Sequence, residues 1–266
     1  MTDAVPPLRE LGHDLTLLTR RQRVTAVALP FACAAGYFAC AAAGWWPAAV
    51  FALVALSFVT YGSTSHDLVH RSMGLPGRAN EVCLCVVELL ALRSGHAYRA
   101  AHLHHHATYP GPGDLEGAAA RMSWYAALAD GLTLQFRVWV WALRRGGKAR
   151  PWVVGEGAAC AALALGSLAL LPVTPAFAVY VGLMVAGSWV IPLATSYVPH
   201  DATGADELTQ TRAFRGRVAS VLALEHLYHL EHHLYPAVPH QNWPELARRL
   251  DPHLARAGVR PVRIGF

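Results

Sequence analysis

Two long stretches without a charged residue dominate the pattern of hydrophobic and polar positions along this chain. The first covers residues 24–65 and the second residues 157–199. At 1.5 Å per residue, either stretch drawn as one helix would be about 63 Å long, roughly twice the hydrocarbon core of a bilayer. Each stretch is therefore predicted to fold back on itself as a hairpin of two membrane-spanning helices.

Turn-forming residues lie near the middle of both stretches. In the first stretch, residues 44–47 are a glycine, two tryptophans suited to a membrane interface and a proline. In the second stretch, residues 171–175 include two prolines. The sequence thus predicts an all-α integral membrane protein with four transmembrane helices arranged as two hairpins. Their predicted ranges are 24–43, 48–66, 153–171 and 176–198.

Two shorter apolar stretches lie outside these hairpins. Residues 82–92 are too few to cross a bilayer and include Glu88, so they predict a helix in the interface or packed beneath the functional site. Residues 122–143 carry Asp130 and Arg137 among several aromatic residues, which favours an amphipathic interfacial helix over a fifth span.

The composition agrees with a membrane protein. Hydrophobic residues make up 54% of the 266 and charged residues only 15%, with a mean hydropathy of +0.30. A soluble domain has about 25% charged residues, so the composition argues against a disordered chain, a coiled coil and a free soluble enzyme. The five cysteines form no CxxC pair and are interpreted as small buried side chains rather than as a zinc ribbon or disulfide framework.

The distribution of basic residues predicts the orientation. All 22 Lys and Arg residues lie outside the charge-free stretches, on the side that the N-terminus, residues 67–152 and residues 199–266 share. The positive-inside rule assigns that side to the cytoplasm, so the net charge of +5 is interpreted as a topology signal and not as nucleic-acid binding. Residues 1–23 lack the apolar core of a signal peptide and are predicted to be a cytoplasmic segment of a single domain spanning residues 1–266. One Lys against 21 Arg suggests a bacterial source, hence the inner membrane.

Histidines are concentrated in three short clusters. The strings HDLVH, HLHHH and HLEHH place them at i, i+3 or i+4, so that the imidazoles of each cluster share one face of a helix. Each cluster lies at the membrane-proximal cytoplasmic end of a predicted element, so the three can meet. The eight residues concerned are His66, His70, His102, His105, His106, His229, His232 and His233.

Eight imidazoles that meet at one point are stabilised by a cation bound between them rather than by their own protonation. Protonated rings would repel each other, whereas metal ions bind the neutral form. One zinc ion takes four ligands, so two metal ions with open positions fit the number better, and such imidazole-rich sites suit iron and oxygen chemistry. His200, at the end of the fourth span, is a candidate ninth ligand; an interfacial histidine at a helix end is the alternative.

Other residues near the clusters have weaker claims. His226, His104 and His96 are secondary candidates, while His13, His240 and His253 are expected to be ordinary solvated side chains. Carboxylates can orient a ligand imidazole through its second nitrogen. The nearest ones in sequence are Asp67, Asp114, Asp201, Glu225 and Glu231, and for each of them a solvated or salt-bridged surface carboxylate is an equally good interpretation.

The strings HDLVH, then HLHHH followed by DLEG, then YHLEHHLYPAVP, interleaved with two hydrophobic hairpins, resemble the membrane-bound fatty acid desaturase superfamily of non-haem di-iron enzymes. The resemblance covers residues 24–239. It implies that the eight clustered histidines, with His200 before the third box, are the ligands of two iron ions. It also implies that O2 is a co-substrate and that the reaction is the oxidation of an unactivated C–H bond of a lipid.

The resemblance leaves the substrate open. HLEHHLYPAVPHQNWPEL is similar to acyl-lipid desaturases, whereas the chain length, the HDxxH box and the VPH string are also similar to bacterial carotenoid ketolases and hydroxylases. Acyl-lipid desaturation is the favoured interpretation. The sequence contains no GxGxxG, no cysteine set for an iron–sulfur cluster and no HPGG string, so electrons are expected from a separate ferredoxin-like donor and its reductase.

Two rival classes fit the sequence less well. A membrane zinc hydrolase would leave five or six histidines unexplained, and HExxH is absent. A haem or metal-transport protein would place histidines at membrane depth, yet residues 24–65 and 157–199 contain none.

Overall fold

The computed structural model describes residues 5–216 and 227–264, and most of them are helical. Four helical stretches are long and apolar enough to cross a membrane, and they confirm the four predicted spans to within a few residues, apart from an earlier start of the first and a later end of the second. These stretches are His13–Ala42, Trp46–His70, Arg150–Ala169 and Ala176–Tyr197.

The first two spans pack against each other. After the short helix α1 (Leu8–Leu11), helix α2 (Arg20–Ala42) begins at a capping box, in which the Thr19 side chain accepts from the Gln22 backbone and the Gln22 side chain accepts from the Thr19 backbone. Helix α3 (Trp46–Val59) packs along α2. The turn between them includes Gly44 at a φ of +74°, a left-handed conformation that favours glycine.

Two π-helical turns interrupt the spans near the functional site. Thr60–Thr64 follows α3 and leads directly into α4 (Ser65–His70). In the second pair of spans, α8 (Arg150–Ala169) precedes α9 (Ala176–Gly187), and the π-turn Leu193–Tyr197 follows after the short 3₁₀ turn Ser188–Val190. Single π-turns are rare and occur often at functional sites, because the extra residue redirects the side chains that follow.

Three longer helices lie between the pairs of spans. They are α5 (Gly77–Leu90), α6 (Gly95–Thr108) and α7 (Trp124–Arg145), so the predicted helices at 82–92 and 122–143 are both confirmed as helices. Helix α5 buries Glu88 and packs against α4, α6 and α8. Helix α7 exposes Tyr125, Leu132 and Phe136 along one face, as expected of an amphipathic helix at a membrane interface.

The C-terminal part forms a compact core with the N-terminal segment. Helices α10 (His229–Leu234) and α11 (Trp243–Arg256) bury Leu230, Leu246 and Leu250 together with Leu15 of the N-terminal segment. Two short parallel strands, Phe214–Arg215 and Val262–Arg263, pair beside it and are a small departure from the all-α prediction. Two further 3₁₀ turns, Gly117–Arg121 and His240–Asn242, precede α7 and α11, and another, His13–Thr16, precedes α2.

A buried charge network fixes α6 against its neighbours. His96 lies between two carboxylates, with Nδ1 2.7 Å from Glu156 and Nε2 2.9 Å from Glu81. Glu81 also pairs with Arg99, which donates a hydrogen bond of 2.8 Å to the carbonyl oxygen of Leu68 in α4. The network therefore joins the helix of the second histidine cluster to the helix of the first.

Candidate metal site

Four segments deliver the nine histidines that the sequence predicts as ligands. His66 and His70 lie one turn apart on α4, immediately after the first π-turn. Helix α6 carries the second cluster, His200 follows the second π-turn, and α10 carries the third cluster. The structure brings all nine imidazoles together.

The imidazoles divide into two groups. Each group contains four rings, and one nitrogen from each ring lies within 4.8 Å of the corresponding nitrogens of the other three rings in its group. His106 adjoins the first group, with Nε2 3.1 Å from His102 Nε2 and 2.7 Å from His232 Nε2. The first group consists of His66, His70, His102 and His232, and the second of His105, His200, His229 and His233.

Nitrogen separations within the groups fit a shared metal ion. His66 Nε2 lies 3.0 Å from His232 Nε2, and His200 Nε2 lies 3.1–3.2 Å from the Nε2 atoms of His105, His229 and His233. Ligands about 2.0–2.1 Å from one ion at right angles are about 3 Å apart. In the first group, His70 Nε2 is buried without a hydrogen-bond partner among the described residues, as expected of a nitrogen that binds a metal ion.

Hydrogen bonds at the outer nitrogens assign the tautomers of the second group. His200 Nδ1 lies 3.0 Å from the carbonyl oxygen of Ser196, which can only accept, and His105 Nδ1 lies 2.7 Å from the buried carboxylate of Asp114. Both Nδ1 atoms therefore carry the proton, and both Nε2 atoms present lone pairs to each other at 3.2 Å. Two lone pairs at that distance repel unless a cation lies between them, so the donor set fits a metal ion.

The electrostatics agree with neutral ligands. Burial, together with repulsion from neighbouring imidazoles, lowers the pKa of His106 to about 2 and that of His200 to about 3. The same causes lower the pKa values of His102, His232 and His233 well below the ordinary value. Protonated imidazoles are thus disfavoured here, and the neutral form is the one that binds metal.

Two carboxylates next to the 3₁₀ turn Gly117–Arg121 support α6. Asp114 is one of the predicted second partners and contacts His105, as described; burial favours a higher pKa, but its hydrogen bond with His105 holds the pKa below the usual value. Sequence reasoning did not single out Glu116, whose two oxygens lie 3.0 Å from His102 Nδ1. Burial raises the pKa of Glu116 to about 7, and Tyr61 donates to it at 3.2 Å. The DLEG string contains both residues and is the signal that could have identified the second.

The other predicted carboxylates that the structure describes do not contact the nine imidazoles. Glu231 pairs with Arg215, and Asp201 caps a turn at Thr203 and pairs with Arg212 at the surface. Asp67 accepts from the backbone N–H of His240 at 3.0 Å and lies 2.7 Å from its Nδ1. Glu225 lies outside the described residues. For Glu231 and Asp201 the alternative of a salt-bridged carboxylate therefore holds, and Asp67 orients the imidazole of His240 instead of a predicted ligand.

The remaining histidines are placed as follows. The expectation that His240 is solvated is wrong, since its side chain is mostly buried against Asp67. His96 stacks on Trp152, and the ring of His104 contacts Trp141 at a tilted angle; neither histidine belongs to the two groups. His13 is exposed and His253 is partly exposed, next to Arg256. His226 lies outside the described residues.

A small cavity of about 30 Å³ adjoins the two groups. That volume leaves room for about two water molecules. Both π-turns contribute to its wall, so these irregular turns form the boundary between the spans and the imidazoles. The lining residues are Tyr61, Gly62, His66, Tyr98, His102, Glu116, Ala194, Thr195, His229 and Trp243.

A family model described as "Fatty acid desaturase" matches residues 43–264, which include all nine histidines of the two groups. No curated protein matches the chain.

Proposed function

Because this chain belongs to the fatty acid desaturase family and is therefore an oxidoreductase of the membrane desaturase or hydroxylase type, we propose that it desaturates the acyl chain of a membrane lipid. It would do so with O2, external electrons and two iron ions. The observation that carries the proposal is the convergence of nine imidazoles, eight of them in two groups of four, with the Nε2 lone pairs of His105 and His200 facing each other at 3.2 Å.

In this proposal, the first group with His106 holds one iron and the second group holds the other. The two ions would supply the activation of O2 toward an unactivated C–H bond. The protein's own contribution is orientation and exclusion of water. Asp114 and Glu116 fix the rings of His105 and His102, and burial of most of the nine imidazoles keeps solvent from the reacting atoms.

The third histidine cluster favours an acyl chain over a carotenoid, since the string HLEHHLYPAVPHQNWPEL is similar to acyl-lipid desaturases. The small cavity next to His66 and His102 is where a C–H bond of the substrate would meet the metal site. We therefore propose acyl-lipid desaturation, with carotenoid ketolation or hydroxylation as an outcome that the experiment can identify.

The proposed topology is two hairpins with the histidine site on the cytoplasmic side of a bacterial inner membrane. Supporting it, residues 24–65 and 157–199 carry no charge, and all Lys and Arg residues flank them on one side. A ferredoxin-like electron donor with its reductase is the proposed partner. Its acidic surface would meet the basic cytoplasmic face, where Arg248 is largely exposed.

The test is expression of the chain in a host with an active ferredoxin system, with and without β-carotene synthesis, followed by mass spectrometry of the extracted lipids. Loss of two hydrogens from fatty acyl chains is the expected result, and it should disappear in His105→Ala. His104→Ala is the matched control, because this neighbour lies outside both groups. Addition of oxygen to carotene instead would show that the substrate is a carotenoid and not an acyl lipid. Purified protein that contains no iron would refute the metal site.

A further inference from the structure

A groove of about 660 Å³ lies between α2, the first π-turn and the 3₁₀ turn that carries His240, and none of the nine clustered histidines lines it. This volume falls in the range of small-molecule and lipid sites, about 300–1,000 Å³. The residues that line it are Arg21, Gln22, Thr25, Ala26, Leu29, Val59, Ser63, Thr64, His240 and Gln241.

The lining changes from polar to apolar along α2. Arg21 and Thr25 line the end near the start of the helix, and Leu29, with Val59 of α3, lines the end toward the middle of the spans. Eight residues of helix separate Arg21 from Leu29, which corresponds to about 12 Å. A ligand that fills the groove must therefore have a polar end and an apolar end.

The polar end has unused hydrogen-bonding groups and a positive charge. Arg21 is exposed and forms no ion pair with any described residue, and no Asp or Glu is among the described lining residues. Gln241 Oε1 is buried without a hydrogen-bond partner in the described part of the chain. A buried acceptor of this kind requires a donor, and the free guanidinium attracts an anion.

We propose that this groove binds a glycerophospholipid. Its phosphate lies against Arg21, a hydroxyl or ammonium donor of its headgroup lies against Gln241, and the first methylenes of an acyl chain lie along Leu29 and Val59. The site is separate from the two histidine groups. Lipid binding in the groove is therefore independent of the proposed reaction and is expected in the iron-free protein as well.

The experiment measures lipid retained by the purified full-length chain in a neutral detergent, by native mass spectrometry and by titration. The probes are dioleoyl phosphatidylglycerol, dioleoylglycerol without phosphate, and inorganic phosphate. Arg21→Gln should weaken phosphatidylglycerol binding about tenfold, the effect of losing one charge-assisted contact. Arg20→Gln is the matched control. The substitution removes the same charge from a residue that is also exposed but does not line the groove. Leu29→Trp fills the apolar end and should weaken binding without changing the thermal midpoint.

Three results would overturn the proposal. Equal weakening by Arg20→Gln and Arg21→Gln would indicate general attraction of an anionic lipid to a basic surface. Retention of dioleoylglycerol equal to that of phosphatidylglycerol would show that the phosphate plays no part in binding. Competition by inorganic phosphate at the same concentration as the lipid would indicate a site for a free anion.

Discussion

The substitution Asp114→Asn removes a carboxylate from beneath the second histidine group with little change in volume. Both oxygens of Asp114 are used, since Oδ2 lies 2.7 Å from His105 Nδ1 and Oδ1 accepts from the Gly117 backbone N–H at 2.9 Å. Asparagine offers only one acceptor. If its oxygen keeps the bond from Gly117, its NH2 faces His105 Nδ1, which must then accept and move its proton to Nε2.

A protonated Nε2 cannot bind a metal ion, so the second group should lose affinity while the first group keeps its ligands. Removing the partner of a ligand histidine lowers metal affinity about 10- to 100-fold, or about 1.4–2.7 kcal/mol. The wild-type protein is expected to hold two iron ions, and the variant should release one of them at a 10- to 100-fold lower chelator concentration.

The assay is iron per protein after dialysis against a graded series of chelator concentrations, in the absence of oxygen. Glu116→Gln should produce the corresponding loss from the first group through His102. Asp201→Asn is the control, because that carboxylate is exposed and its partners among the described residues are Thr203 and Arg212, not a ligand imidazole. Release curves of Asp114→Asn and Asp201→Asn that coincide would refute the orienting role of Asp114.

Three further predictions concern stability and the cavity. Arg93→Met should destabilise the protein by about 3–5 kcal/mol, because it leaves Glu88 buried without its ion-pair partner at 2.8 Å, and the double variant Glu88→Leu/Arg93→Met should recover much of the loss in thermal or chemical unfolding. Gly131→Ala should lower the thermal midpoint, because a Cβ there would overlap a carbonyl oxygen in the turn after α9, whereas Gly155→Ala, with open space around it, should be neutral or stabilising. Ala194→Phe should narrow the cavity and reduce product formation at least tenfold while iron content stays unchanged, and unchanged activity would show that the substrate does not pass this residue.

Local sequence patterns predict the spans and the clusters because they depend on short-range rules. Charge-free length determines the membrane helices, and the spacing i, i+3, i+4 determines which imidazoles share a face of α6. Neither rule uses contacts between distant segments. The four spans and the histidine clusters were accordingly accessible from the sequence alone, whereas the meeting of the clusters was inferred from their shared position at one side of the predicted spans.

Contacts between distant segments were not accessible. Asp67 and His240 are 173 positions apart, and only the docking of the C-terminal core on α4 brings them together. Adjacent residues can also separate, since His105 belongs to the second group whereas His106 adjoins the first. Sequence proximity thus identified Asp114 correctly, nine positions from its partner, and failed for Glu231 and Asp201.

The division of the imidazoles couples metal binding to the assembly of the whole fold. The first group draws on α4, α6 and α10, and the second on α6, α10 and the segment after the second π-turn. The first group thus requires the first pair of spans, the second group requires the second pair, and both require α6 and the C-terminal core, so two bound ions together stabilise only the assembled state. Removing iron with a chelator should therefore lower the thermal midpoint of the entire chain in one transition. Separate transitions for the spans and the C-terminal core would contradict this coupling.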